Sequence, residues 1–254
     1  MSKRIAACFG LNYAGLPFAL NGCVNDATMM RALLEKKGYT TSLYVTNADT
    51  TASRMMSVLF NMAMSTWSDP KITNVWVYYA GHGAQVSDAD RDESDGLDEA
   101  IVPSDCRTAG VINDDQLYRL LQCFNPKCIV TLFFDCCHSG SMCDLPYSYT
   151  TNGASAKSPI SKLETNKKAL RGKVRVLSGC LDHQTAAEAS GLSGDKQVNG
   201  AATVALSDIV SKNANPSWLE IGWLLDARVR QMGVLNQRAV TSSSTPLTRD
   251  DVLF

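Results

Sequence analysis

Short, almost uninterrupted apolar runs alternate along this chain with longer stretches whose apolar residues recur every three or four positions. Residues 5–9 form the first run and predict a buried strand. Residues 24–37 follow with Ala27, Met30, Leu33 and Leu34 at helical spacing, and Gly38 supplies the stop. Residues 40–46 have a strand composition, whereas 51–67 return to helical spacing through Met55, Met56, Leu59, Met62 and Ala63. Runs 72–80 and 128–134 are nearly all apolar, the pattern of strands covered on both faces of a parallel sheet, with a helix over 114–123 between them. A further strand is expected at 174–178, and helices at 201–211 and 217–232. Strand and helix alternating in this way predict an α/β fold, a mostly parallel central sheet with helices on both faces. Residues 147–173, rich in Ser, Thr, Asn and Lys, are too many for an ordinary connection and are expected to be functional or without fixed structure. They divide a larger part, 1–146, from a smaller one, 174–254, within a single domain spanning 1–254.

Composition narrows the class. With 254 residues, 45% of them hydrophobic, the chain buries a core without needing a disulfide or metal staple. No apolar run approaches a membrane span. Lys3 and Arg4 before an apolar stretch superficially resemble an export leader, but the stretch is short and no small-residue cleavage site follows, so a first strand is expected. A net charge of −1 argues against bulk nucleic-acid binding. That near-neutrality is a sum of opposites: Asp88, Asp90, Asp92, Glu93, Asp95, Asp98 and Glu99 crowd one segment, and Lys157, Lys162, Lys167, Lys168, Arg171, Lys173 and Arg175 another. Taken alone, each run reads as a solvated surface. The nine cysteines are odd in number and show no Cys-x-x-Cys spacing, which points to a reducing, cytoplasmic setting.

The chemistry lies where the two most apolar runs end. Ligands of an open α/β sheet bind beyond the C-terminal ends of its strands. One run ends Ala80-Gly81-His82-Gly83 and the other Asp135-Cys136-Cys137-His138-Ser139-Gly140. If the strands are parallel neighbours, an imidazole and a thiol stand at one edge, as nucleophile and base must. A lone strand-end Cys is usually a small buried hydrophobe. Two reactive residues on Gly-flanked strand ends, 55 positions apart, favour catalysis.

These segments resemble the metacaspases, caspase-like cysteine peptidases of clan CD. The resemblance extends from Leu11-Asn12-Tyr13 and Asn21-Gly22-Cys23-Val24-Asn25-Asp26, through the His and Cys motifs and the acidic segment 95–105, to Leu177-Ser178-Gly179-Cys180 and Asp182-His183-Gln184-Thr185-Ala186. It implies a caspase-like three-layer αβα sandwich, and makes Cys137, which directly precedes His-Ser-Gly, the nucleophile and His82 the base. The backbone N–H groups of Gly83 and Cys137 would form the oxyanion hole, and His138 would be structural. The family cuts after Arg or Lys through carboxylates matched here by Asp26 and Asp135, with Cys23 and Ala80 in the same pocket. Ala80 stands where many relatives carry Ser. An arginine or lysine side chain needs such buried carboxylates, although Asp26 also reads as an ordinary acid in a helix's first turn.

The resemblance also implies Ca²⁺, held by Asp98, Asp114, Asp115 and Asp144, hard oxygen donors of the kind that ion takes. Asp114 and Asp115 equally suit simple capping of the helix that follows them. Asp88, Asp90, Asp92 and Glu99 imitate an EF-hand loop, but Glu93 occupies the position that needs Gly. A zymogen cutting after basic residues can process its own basic loop, at Lys157, Lys162, Lys167, Lys168 or Arg171, with Lys3 and Arg4 as further sites. The expected partners are therefore protein or peptide substrates with Arg or Lys before the scissile bond, not nucleic acid or membrane. The protein is expected to be a monomer and a bare type I-like catalytic core. A catalytically silent caspase-like scaffold, or a clan relative with Asp or Asn specificity, is the alternative.

Overall fold

A computed structural model describes residues 2–88, 96–137, 139, 142–150, 160–163, 170–179, 188–190, 198–234 and 238–254. The order is β1 (Lys3–Gly10), α1 (Cys23–Lys36), β2 (Thr40–Tyr44), α2 (Ala52–Ser68), β3 (Ile72–Ala80), β4 (Gly83–Ser87) and β5 (Leu97–Ile101). Next come α3 (Cys106–Ala109), β6 (Ile112–Asn113), α4 (Asp114–Leu121), β7 (Ile129–Asp135), β8 (Tyr147–Thr150) and β9 (Ile160–Leu163). The chain then forms β10 (Lys173–Ser178), β11 (Glu188–Ser190), β12 (Val198–Gly200), α5 (Ala201–Lys212), α6 (Trp218–Gln231) and β13 (Val240–Ser243).

The central sheet has eight strands in the order β2-β1-β3-β7-β10-β13-β8-β9. From β2 to β10 every pairing is parallel, while β13, β8 and β9 extend it antiparallel. Period-two alternation sends the side chains of each central strand to two separate cores. Phe9, Val75, Val77, Leu132 and Val176 pack with Met55, Leu59, Leu117 and Leu121 of α2 and α4. Ala6, Cys8, Trp76, Phe133 and Leu177 pack with Met30, Leu34, Leu206, Ile221 and Leu225 of α1, α5 and α6. The result is a three-layer α/β sandwich, and both apolar runs, β3 and β7, are buried between its outer layers.

Two expectations need correction, and one stretch gains an element. Residues 147–173 are not simply a loop: β8 and β9 within them add to the sheet, with Tyr149 opposite Ser161. Their polar composition fits a sheet margin, where one neighbour is solvent. Asp114 and Asp115 do not cap their helix, because Asn113 does, accepting from Gln116 N–H at 3.1 Å while Gln116 reaches back to Asn113 N–H at 3.1 Å. The run 97–101 is a strand, pairing with β4 and β6 in a separate three-stranded sheet, so no helix flanks the acidic segment there.

Candidate active site

Strands β3 and β7 are parallel neighbours, and Ala80 stands opposite Asp135. His82 and Cys137 each lie two residues beyond that pair, so the register alone brings both to one edge of the sheet. A Cβ on Gly83 would overlap the carbonyl oxygen of Cys137, and only glycine permits this approach. Cys136 is 1% exposed and belongs to the α2/α4 core, whereas Cys137 is half-buried. The packing therefore separates the two neighbouring cysteines into a core residue and a partly exposed one.

The imidazole of His82 is held on three sides. Its Nε2 lies 2.7 Å from the carbonyl oxygen of Phe18. A carbonyl can only accept, so Nε2 carries the hydrogen and Nδ1 keeps its lone pair, the tautomer that a general base requires. Tyr13 lies against the ring at 4.9 Å between centroids, and Phe18 meets it edge-on at 5.7 Å. The backbone is fixed as well. His82 N–H donates to the Tyr13 hydroxyl at 2.9 Å, and the Tyr79 hydroxyl donates to His82 C=O at 2.7 Å. Burial pushes the Tyr79 phenol well above its ordinary range, which keeps it a donor.

Gly83 opens β4. Val102 N–H bonds to His82 C=O at 3.1 Å, and the next pair along, Gly83 and Ile101, then falls at a non-hydrogen-bonded position of the antiparallel ladder. That alternation turns the Gly83 N–H away from β5 and leaves it outside the ladder. His138 lies outside the described residues.

Two buried carboxylates stand together on the opposite face of the sheet. Asp26, in the first turn of α1, also reaches beyond its own helix. Its side chain crosses to the start of α5, accepting from Asn199 Nδ2 at 3.0 Å and Gly200 N–H at 2.9 Å. Asp135 accepts from Thr203 N–H at 3.1 Å and from the Thr203 hydroxyl at 2.6 Å. Gly200 lies between them: a Cβ there would stand 2.5 Å from Asp135 Oδ2 and 3.2 Å from Asp26 Oδ2. The Tyr78 hydroxyl is raised well above its usual range by burial first, then by the charges of Asp135, Asp26 and Cys23. Cys23 lies one helical turn before Asp26, and Ala80 is two positions after Tyr78 on the same strand face, both in that core.

A third acidic group borders the β4–β5–β6 sheet. Asp98, Glu99, Asp114 and Asp144 are all buried. Burial, then Asp144 and Glu99, raise Asp114 to about 9. Asp114 accepts from Glu99 N–H at 3.1 Å, and Asp98 accepts from Asn113 Nδ2 at 2.8 Å. Asp144 and its neighbour Cys143 adopt positive φ, 50° and 76°. Asp115 is engaged elsewhere, paired with Arg119 at 3.0 Å. Among the described residues, no three His, Cys, Asp or Glu side chains converge as a ready-made metal cage. Of the processing candidates, Lys157, Lys167 and Lys168 lie outside the described residues, Lys162 is in β9, and Arg171 is exposed just before β10.

The metacaspase peptidase C14 domain matches residues 4–146, more than half of this chain. The chain belongs to the metacaspases. It is 36% identical over 167 residues to Metacaspase-1B of Aspergillus oryzae, an alignment covering 63% of this chain and 40% of that one. It is 32% identical to Metacaspase-1 of Schizosaccharomyces pombe, over 86% of this chain and 62% of the relative. With Metacaspase-2 of Trypanosoma brucei brucei it shares 34% identity over 85% of this chain and 66% of the relative. The metacaspase relatives are thus longer, and the chain spans between 40% and 66% of these three. A crystal structure of a protein from Geobacter sulfurreducens, 24% identical, has the same fold with a TM-score of 0.67, covering 99% of this chain and all of that one. Both motifs at the β3 and β7 ends fall inside the matched metacaspase segment.

Sequence reasoning missed the groups that hold His82. The Phe18 contribution is a backbone carbonyl and leaves no side-chain signature. Tyr13 and Tyr79 were visible, Tyr79 three residues before His82, but their convergence depends on β1 and β3 being neighbours. Asn199, Gly200 and Thr203 carry no motif that points to a pocket.

Proposed function

We propose that this chain is a cysteine endopeptidase that cuts after Arg or Lys. The observation that carries the specificity is the pair Asp26 and Asp135, both buried and both drawn close to Gly200, where no side chain would fit. A buried carboxylate pair attracts a cationic side chain and offers a guanidinium bidentate acceptors.

The mechanism follows from the atoms at the sheet edge. His82 Nδ1 takes the proton of the Cys137 thiol, and the sulfur attacks the scissile carbonyl carbon. The Gly83 and Cys137 N–H groups stabilise the oxyanion. Collapse of the tetrahedral intermediate expels the amine, which receives the proton from His82, and leaves a thioester on Cys137. Water, deprotonated by His82, then hydrolyses the thioester and restores the thiol. The Phe18 carbonyl holds the ring and stabilises the imidazolium formed at each step.

The proposal includes Ca²⁺ at Asp98, Asp114 and Asp144, with Glu99 beside them. The donor chemistry fits: hard oxygens are crowded enough to keep Asp114 protonated to about 9, a cost that a divalent cation relieves. Asp115, paired with Arg119, would join only by releasing it. A bound cation would order the segment around Asp144 that follows the nucleophile.

Self-processing in 150–175 is also proposed, with Arg171 the described candidate that stands exposed. Lys162 is disfavoured, since its backbone is paired with Ser148 in the sheet and a peptidase needs a free extended strand.

Fluorogenic peptides ending in Arg, Lys, Asp or Asn, assayed with Ca²⁺ and with chelator, test this reading. Turnover is expected for Arg and Lys with Ca²⁺, and Cys137→Ala abolishes it, lowering kcat/KM by about 10⁴-fold or more. Preference for Asp or Asn would overturn the specificity, and activity indifferent to chelator would overturn the role of Ca²⁺.

A further inference from the structure

We infer that Thr203 is a specificity-determining positioning residue, which with Tyr78 fixes the Asp135 carboxylate that receives the substrate's basic side chain. The inference deepens the Arg/Lys reading and rests on it. The Thr203 hydroxyl lies 2.6 Å from Asp135 Oδ2 and 2.6 Å from the Tyr78 hydroxyl. Thr203 has one hydroxyl hydrogen, and a carboxylate only accepts, so that hydrogen goes to Asp135. The Tyr78 hydroxyl must then donate to Thr203. The direction is Tyr78 to Thr203 to Asp135, and the Thr203 N–H adds a second donor to the same oxygen at 3.1 Å.

Tyr78 and Thr203 are both 0% exposed, so water cannot substitute for either donor. Charge-assisted hydrogen bonds in such surroundings polarise one another. Ala80, opposite Asp135 in the strand register, offers no hydroxyl, and a hydroxyl reaches Asp135 from the first turn of α5 instead. By holding Oδ2 from the α5 side, Thr203 fixes the rotamer of Asp135 and so sets where its charge lies relative to Asp26 across Gly200. Thr203 does not touch the incoming side chain. It acts through Asp135.

The experiment compares wild type, Thr203→Val, Thr203→Ser and Tyr78→Phe on Arg-, Lys- and Gln-ended peptides, with Ca²⁺ present. Thr203→Val keeps the shape and removes the hydroxyl. It should raise KM for the Arg and Lys peptides about tenfold, the loss expected for one hydrogen bond to a charged group, while the weak turnover of the Gln peptide keeps its KM. Thr203→Ser should restore the wild-type KM, and Tyr78→Phe should move it in the same direction as Thr203→Val by less. Should Thr203→Val fail to fold, Tyr78→Phe against Thr203→Ser carries the same comparison. The rate of Cys137 alkylation by iodoacetamide monitors the dyad independently of the pocket and should match wild type. Equal KM values in wild type and Thr203→Val, or a loss shared equally by the Gln peptide, overturn the inference. No turnover of Arg or Lys peptides by wild type overturns the Arg/Lys reading instead.

Discussion

The imidazole proposed as the base, His82, depends on a group with no reactive chemistry of its own. Tyr13, at a positive φ of 51°, places its hydroxyl where it accepts from His82 N–H and donates to the Val102 carbonyl at 2.7 Å. Both tyrosines of this cluster are buried, and burial pushes Tyr13 upward. Tyr13→Phe retains the ring against His82 but removes the acceptor of the part-buried His82 N–H and leaves the Val102 carbonyl to the longer bond from Tyr79, at 3.2 Å. It should cost about 1–3 kcal/mol of stability and lower kcat with little change in KM, readable from thermal unfolding and steady-state kinetics. Asp114 gives a second expectation with a definite sign. Its pKa is raised on folding from 3.8 to about 9, so between those values the native state holds a proton that the unfolded chain has lost. This group therefore costs stability progressively as pH rises through that window. In chelator, Tm should fall between pH 5.5 and 8.5, added Ca²⁺ should raise Tm more at the upper pH, and Asp114→Asn should flatten the dependence. A pH-independent Tm shift on adding Ca²⁺ would contradict it.

The central elements were legible because their physics is local. Strand β3 occupies Ile72–Ala80, the bounds its apolar run predicts, and β7 is displaced from its run by one residue. A strand covered on both faces has to be apolar throughout, and β1 shows the same pattern from Ile5 onward. The strands β13, β8 and β9 were not legible as such. VTSS, YSYT and ISKL are short and polar, and their strand character comes from pairing with one another and with β10, contacts between residues far apart in sequence. The site divided in the same way. His82 and Cys137 end elements that can be read locally, and Asp135 is one residue from the nucleophile's neighbour. Thr203 and Gly200 enter only because α5 begins beside β7. That placement is tertiary, and through it Asp26, an α1 first-turn acid, also accepts from Asn199 and Gly200 ahead of α5.

At the scale of the whole molecule, strand direction constrains self-processing. The proposed dyad lies beyond the C-terminal ends of β3 and β7, and β10 runs parallel beside β7. Arg171 precedes the start of β10, whose six residues at about 3.3 Å each span about 20 Å. Its scissile bond therefore faces the opposite side of the sheet from Cys137, close to Pro126 and Ser244, and cannot reach the nucleophile of its own chain while the fold is intact. Cleavage at Arg171 should be intermolecular. The initial rate of nicking should rise with the square of enzyme concentration, and active enzyme should nick Cys137→Ala protein added as substrate. A first-order rate independent of concentration would contradict this. No described helix is long and apolar enough to cross a membrane. The opposed charge blocks noted in the sequence gain distinct roles on this account: part of the acidic one borders the proposed Ca²⁺ site, and the basic one supplies Arg171.

The most direct measurement is covalent capture of the nucleophile. Wild-type protein in Ca²⁺, treated with an Arg-ended peptidyl acyloxymethyl ketone and digested for mass spectrometry, should carry a single thioether adduct on Cys137. His82→Ala should slow its formation by at least about a hundredfold. An adduct on Cys136, no adduct at all, or equal labelling by the matching Asp-ended reagent would contradict the account.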